Sequence, residues 1–164
     1  MKTEKLIEFL NSFQSLVINS LDENKNPFSS YAPFVKYENR YYVYLSSMAK
    51  HSHNLKQNPK ASIFFCEDES SCENIFARKR VTMQCDVITL EKNSSKYEDI
   101  LDSFEEKFDK SMVQTLRGMS DFNLYEFKAF YGEAVFGFGK AYNLGGENFN
   151  ELVQRENTNG HGHK

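Results

Sequence analysis

Tryptophan is absent from this 164-residue chain, cysteine occurs only three times, and no apolar run approaches the roughly 18–20 residues that cross a bilayer. The last of these absences excludes a membrane-spanning helix. The cysteines, Cys66, Cys72 and Cys85, are odd in number and never spaced Cys-x-x-Cys. That pattern argues against a zinc site or a disulfide framework and fits the reduced thiols of a cytoplasmic protein. A basic excess is missing too. Twenty Lys and Arg stand against 23 Asp and Glu, for a net charge of −3 and a pI near 5.8. Nucleic-acid binders draw affinity from a cationic face, so none is expected here. The first ten residues have neither the long apolar core nor the small-residue cleavage site of a signal peptide. There is no internal repeat and no sign of a second domain.

What is present is a globular composition, 40% hydrophobic and 15% aromatic, with 15 Phe and 9 Tyr. A chain of this length can bury a core as one domain. Residues 3–12 predict an amphipathic helix, with Leu6, Ile7 and Leu10 on one side. Strand patterns run over 15–21, 28–35 and 40–46, the last two joined by the hairpin chemistry of Glu38-Asn39. A short helix over 51–58 stops at Pro59, and strands follow at 61–66 and 81–90. Ser95 caps a second helix, to about residue 108, in which Tyr97, Ile100, Leu101, Phe104 and Phe108 make a core-facing stripe. The last strand pair is expected at 122–129 and 133–142, turning at Tyr131-Gly132. Strands interrupted by short helices, without a β-α-β rhythm, predict a mainly antiparallel β protein, a small barrel over residues 1–144. Residues 145–164 have the composition of a polar arm.

Three features carry chemistry. Histidines fall into two pairs, His51/His53 and His161/His163, the second in the glycine-containing tail. Along residues 134–142, alternation places Val135, Gly137, Gly139 and Ala141 on one face, either a barrel corner or a flat floor for a planar ligand. This stretch lacks the third glycine and following helix of a dinucleotide fingerprint. Arg78, Lys79 and Arg80 form a cationic run that is either a solvated face or a seat for a carboxylate- or phosphate-bearing ligand.

In order along the chain, Ser30-Tyr-Ala-Pro-Phe34, His51-Ser-His-Asn-Leu55, Asn58-Pro59, Glu67-Asp-Glu69, Phe76-Ala-Arg-Lys-Arg80, Asp121-Phe-x-Leu-Tyr125 and Gly137-Phe-Gly-Lys-Ala-Tyr142 resemble the haem-utilisation oxygenases of the HugZ/HutZ type. The resemblance covers residues 10–164 and is to the short form of these proteins. It implies the split β-barrel of the pyridoxamine-phosphate oxidases, a homodimer, and oxygen-dependent opening of haem to a biliverdin-type product with release of iron. It also implies an iron ligand in the tail, at His161 or, two residues on, at His163. Asp121 corresponds to the carboxylate that supports this histidine from the partner subunit, Arg80 to the arginine beside the haem, and His51 to a histidine of the haem pocket. Gly137 and Gly139 would floor that pocket.

These residue types suit that chemistry. A neutral imidazole leaves iron able to bind O₂, and a carboxylate on its other ring N–H fixes the tautomer and raises ligand basicity. Arg80 either neutralises a propionate or serves the oxygen side. No reductase segment is present, so electrons must come from an external donor. No flavin is expected. Two other classes stay open: an FMN-dependent oxidoreductase of the same fold, with the cationic run on the phosphate, and a haem carrier or store without turnover.

Overall fold

Along Ser15–Leu21 every second residue is buried, Leu16, Ile18 and Ser20 pointing inward, and that period of two is what closes a sheet around one core. The computed structural model describes residues 2–155. Helix α1 (Lys2–Asn11) leads into β1 (Ser15–Leu21), β2 (Pro27–Tyr37) and β3 (Arg40–Ser46). Helix α2 (Lys50–Gln57), β4 (Lys60–Cys66), two single-turn 3₁₀ segments (Glu69–Ser71, Ile75–Ala77) and β5 (Arg80–Thr89) come next. The chain then forms α3 (Ser95–Lys107), α4 (Lys110–Arg117), β6 (Phe122–Val135), β7 (Ala141–Gly145) and β8 (Glu151–Gln154). The strand order is β3-β2-β1-β4-β5-β6-β7-β8, all antiparallel, and pairing of β3 with β6 closes the first six into a barrel. The expected antiparallel split barrel with short helices is the fold observed. Among the described residues, no helix is long and apolar enough to cross a membrane.

The barrel interior is filled by Leu16, Ile18, Phe34, Val43, Ile63, Phe65, Val81, Met83 and Phe127, with α1 packing Leu6 and Leu10 against it. A second core lies outside the barrel. There α3 covers Val35, Tyr42 and Leu124 with Tyr97, Ile100, Leu101 and Phe104. Each of these helical side chains contributes about 1.5–3 kcal/mol on burial, before the cost of ordering it. Because α3 seals the outer face there, the end of β2 at Phe34-Val35 and the centre of β3 are buried on both sides, and Tyr41-Tyr42-Val43 reads as a continuous apolar run rather than an alternation. Glu38 and Asn39 both take positive φ, 46° and 62°, as a two-residue hairpin turn requires.

Four expectations are corrected. Tyr131-Gly132 is not a turn: β6 runs unbroken for 14 residues, with Phe130 bulged out where Gln84 pairs Tyr131 and Cys85 pairs Ala129. Gly132 is glycine because a Cβ there would lie 2.6 Å from Leu144 Cδ1 and 3.1 Å from the Thr82 carbonyl. The Gly137 and Gly139 stretch is not a strand but the tight turn between β6 and β7. The cap of α3 is Ser94, whose hydroxyl accepts from Tyr97 N at 3.1 Å, one residue before the expected Ser95. The arm expected from residue 145 instead begins with β8, paired to β7, with Leu152 against the core. His161 and His163 lie outside the described residues.

Candidate functional site

The expected site residues gather at the two ends of β6. Asp121 sits just before the strand begins, beside the end of β3. The Ser46 hydroxyl donates to Asp121 Oδ2 at 2.6 Å, in the short range of a charge-assisted bond, and Ser47 N donates to the Asp121 carbonyl at 2.7 Å. Ser46 also ties this corner to α2. Its carbonyl accepts from the Ser52 hydroxyl at 2.6 Å, and its own hydroxyl accepts from Met48 N at 3.2 Å.

Helix α2 brings His51 to the same corner. The helix is capped by Ala49, which offers no side-chain acceptor, so His51 lies inside the first turn and is not the cap. Its Nδ1 is hydrogen-bonded to Ser30 Oγ at 2.9 Å, across from β2. Burial lowers its pKa below the ordinary imidazole value and favours the neutral ring. His53 points the other way, into an exposed hollow shared with Asp22, Glu23 and Gln57. Near α2, Met48 is 79% exposed and Tyr31 on β2 is 67% exposed, so this corner carries apolar surface that no described residue covers.

Arg80 marks the opposite end. It opens β5, pairs with Cys66 on β4 and Val135 on β6, and donates from Nη1 to the Arg78 carbonyl at 2.9 Å. The three cations of the run divide their work. Arg78 is consumed internally: Nε donates to the Glu67 carbonyl at 3.0 Å, Nη2 reaches the same oxygen, and Nη1 pairs with Glu69 at 3.3 Å. The Lys79 N–H donates to Glu67 Oε1 at 2.8 Å. These bonds close the loop 67–79 and leave the Lys79 and Arg80 heads as its cationic face.

Against that loop lies the turn 136–140. Phe136 N donates to the Lys140 carbonyl at 3.0 Å, and Lys140 N donates to the Gly137 carbonyl at 3.1 Å. Gly137 has φ +136° and Gly139 has φ +71°, so glycine is required by backbone conformation. A Cβ on Gly139 would meet nothing within 4 Å. The two glycines therefore do not form one face of a strand, although Gly137 lines the adjoining cleft. Between loop and turn is a cleft of about 370 Å³, lined by the cations Lys79 and Lys140, the carboxylates Glu67 and Glu73, and the rings of Phe136 and Phe138, among others. Phe76 is 87% exposed and Phe138 is 83% exposed. Large rings standing in water mark this end as a surface that an apolar body can cover, with Lys79 and Lys140 at hand beside Glu67 and Glu73.

The chain leaves its described part at this same end. Arg155 follows β8, donates from Nε to Asn143 Oδ1 at 3.0 Å, and pairs with Glu133, which also accepts from the Tyr131 hydroxyl at 2.7 Å. Residue 155 is thus fastened over β6 and β7, close to the Arg80 register. Among the described residues, no group of three or more His, Cys, Asp or Glu side chains could hold a metal. Ser46, Ser30 and Glu67 were not anticipated from the sequence as partners of Asp121, His51 and the cationic run.

Residues 3–136 match the pyridoxamine 5'-phosphate oxidase family. Over 149 residues the chain is 33% identical to the haem oxygenase HutZ of Vibrio cholerae, covering 91% of this chain and 84% of that protein. The chain belongs to the pyridoxamine 5'-phosphate oxidase family, in its HutZ-type branch. The crystal structure of V. cholerae HutZ, there called a haem storage protein, superposes with a TM-score of 0.78 at 30% identity, covering 84% of this chain and 99% of that one. Campylobacter jejuni ChuZ superposes with a TM-score of 0.86 at 32% identity over 98% of this chain, which spans 65% of ChuZ. Family and barrel were both legible in the ordered motifs. The fold supplies the platform, and the HutZ-type relatives narrow what sits on it.

Proposed function

We propose that this protein binds haem and opens its macrocycle, using O₂ and electrons from a separate donor, to release iron and a biliverdin-type product. The observation that carries the reading is the Arg80 end of the barrel. There, exposed Phe138 shares a cleft with Lys79 and Lys140, exposed Phe76 stands on the same loop, Arg80 opens β5 after it, and Arg155 precedes the histidine-bearing tail. Haem needs apolar faces and cations for its propionates, and both are present. The kinship with HutZ supports the same reading.

His161, with His163 as the alternative, would ligate the iron, and Arg80 would hold a propionate or serve the oxygen side. When bound, the haem supplies the iron at which O₂ reacts and the carbon framework that is cleaved. Asp121 would accept the other ring N–H of the ligating imidazole and hold its tautomer. Within one chain, however, β6 separates Asp121 from the Arg80 end by about 40 Å measured along the strand. The six residues from Arg155 to His161 reach at most about 20 Å. We infer that a site using both ends would draw on two chains, in a homodimer with Asp121 and His51 supplied by the partner. The three free cysteines fit a reducing, cytoplasmic setting.

Family membership favours one competing ligand, FMN, whose phosphate would use the same cations, and the storage name given to HutZ favours binding without turnover. Adding haem to the purified protein should give a stoichiometric Soret band. Aerobic reductant should then bleach it with appearance of a biliverdin-type spectrum and chelatable iron. Tight FMN binding with no Soret band would replace haem by flavin, and a Soret band stable to reductant and air would make the protein a store. Light scattering should report a dimer, and a monomer with full haem affinity would refute the two-chain site.

A further inference from the structure

Level with Phe127, midway along β6 and away from both of its ends, a cleft of about 220 Å³ opens between α1, β2, β3 and the last turn of α3. It is lined by Leu10, Asn11, Phe34, Lys36, Tyr41 and Lys107. Leu10, Phe34 and Tyr41 belong to the barrel core, so the floor is apolar. Two ammonium groups stand over it. Lys107 Nζ donates to the Phe34 carbonyl at 2.8 Å and lies 3.8 Å from the centroid of the Phe34 ring. Lys36 Nζ lies 5.8 Å from the centroid of Tyr41.

An ammonium has three protons to donate. Among the described residues Lys107 uses one and Lys36 none, and neither pairs with a carboxylate. Two other partly buried charges, Glu126 and Arg117, are by contrast matched by opposite charge. Glu126 accepts from Tyr42 and Lys96 and pairs with Arg40, and Arg117 pairs with Glu98, Asp102 and Glu105. Leaving two half-buried cations together and unneutralised is unfavourable unless something from outside completes them. Burial alone lowers the pKa of both lysines, with no acidic neighbour acting against it.

We propose that this cleft binds a small organic carboxylate, whose anionic head bridges Lys36 and Lys107 and whose apolar body rests on Leu10, Phe34 and Tyr41. The site stands apart from the haem reading and does not depend on it. A compact multivalent anion fits less well. The Phe34 amide is already donated to the Gln14 carbonyl, and the apolar floor offers phosphate oxygens nothing.

Benzoate is the test ligand, followed through the lysine ε-methylene NMR signals of the full chain. Two of these signals should shift saturably. Acetate, lacking the ring, should bind about tenfold or more weaker than benzoate, with inorganic phosphate no tighter than acetate. Lys36→Gln removes no hydrogen bond among the described residues and should keep the parental melting temperature while losing most of the affinity. Lys36→Arg should retain binding. Lys36→Gln combined with Lys107→Gln should abolish it. Shifts that do not saturate, spread evenly over all lysines, persist in the double variant, or are stronger with phosphate than with benzoate would overturn the proposal.

Discussion

Replacing Asp121 separates its local structural role from its proposed role in turnover. The carboxylate accepts a 2.6 Å bond from Ser46, and a hydrogen bond to a charged group is worth about 1.5–3 kcal/mol. Asp121→Ala deletes that bond, although the main-chain bond from Ser47 to residue 121 survives. In a domain of this size about 1 kcal/mol moves the melting temperature by about 2–4 °C, so the alanine variant should melt about 3–12 °C lower. Asp121→Asn keeps an acceptor for Ser46 and loses only the charge assistance, about half of that bond, which should cost about 0.7–1.5 kcal/mol. If the carboxylate also accepts the N–H of a partner's iron-ligating imidazole, the asparagine variant should still bind haem but degrade it about tenfold or more slowly. Urea unfolding and single-turnover haem bleaching, run on the same preparations, read the two effects separately. A stable asparagine variant that degrades haem at the parental rate would refute the role of Asp121 in turnover. An alanine variant as stable as the parent would refute the energetic weight given to the Ser46 bond.

Gly139→Ala places a side chain in open space but at φ +71°, so it should cost about 1–2 kcal/mol by calorimetry from backbone strain alone and leave the stoichiometry of haem binding unchanged. Loss of haem binding in a folded variant would restore a ligand-facing role to that glycine. For His51, the folded pKa lies below the ordinary value of 6.5, so the unfolded chain takes up the proton first on acidification. The stabilising contribution of the neutral ring should be complete above about pH 6.5 and lost as pH falls through the folded pKa. An NMR titration of the His51 ring should show a midpoint below 6.5, and one at or above it would contradict the burial argument.

Local chemistry was legible where a single cause acts on a single position. Glu38-Asn39 announced a hairpin because few residue pairs accept two successive positive φ values, and the stripe of α3 announced a buried helix because its apolar spacing has only one regular interpretation. Helix α4 was missed although Met112, Val113 and Leu116 share one side, because it is only eight residues long and buries Val113 alone. Glycines were the main source of error. Gly132 is demanded by space beside Leu144, whereas Gly137 and Gly139 are demanded by φ, and a sequence writes both demands with the same letter. The hydrogen bonds that tie Asp121 to Ser46 and His51 to Ser30 join residues 75 and 21 apart, and no local pattern encodes them.

The misread turn at Tyr131-Gly132 alters the site itself. A hairpin there would fold residues 133–142 back alongside 122–129, setting the glycine stretch near Asp121 within one chain. The continuous strand does the reverse: it carries Val135 to Arg80 and leaves Asp121 at the far end with Ser46 and α2. One extra bulged residue, Phe130, lets the strand bend around the barrel without breaking, so that a single element serves both corners. Each corner is incomplete as a haem site. The Arg80 end has cations, exposed rings and the root of the tail, and the Asp121 end has the carboxylate, the neutral imidazole and exposed Met48 and Tyr31. Two copies related by a twofold axis, with the Arg80 end of each against the Asp121 end of the other, would cover both sets of exposed apolar side chains and complete two identical sites. If the proposed haem site is built in this way, dimerisation and haem binding would be coupled. A substitution that charges the apolar surface at one corner, such as Met48→Glu, should weaken both together, and a variant that loses the dimer while keeping parental haem affinity would break the argument.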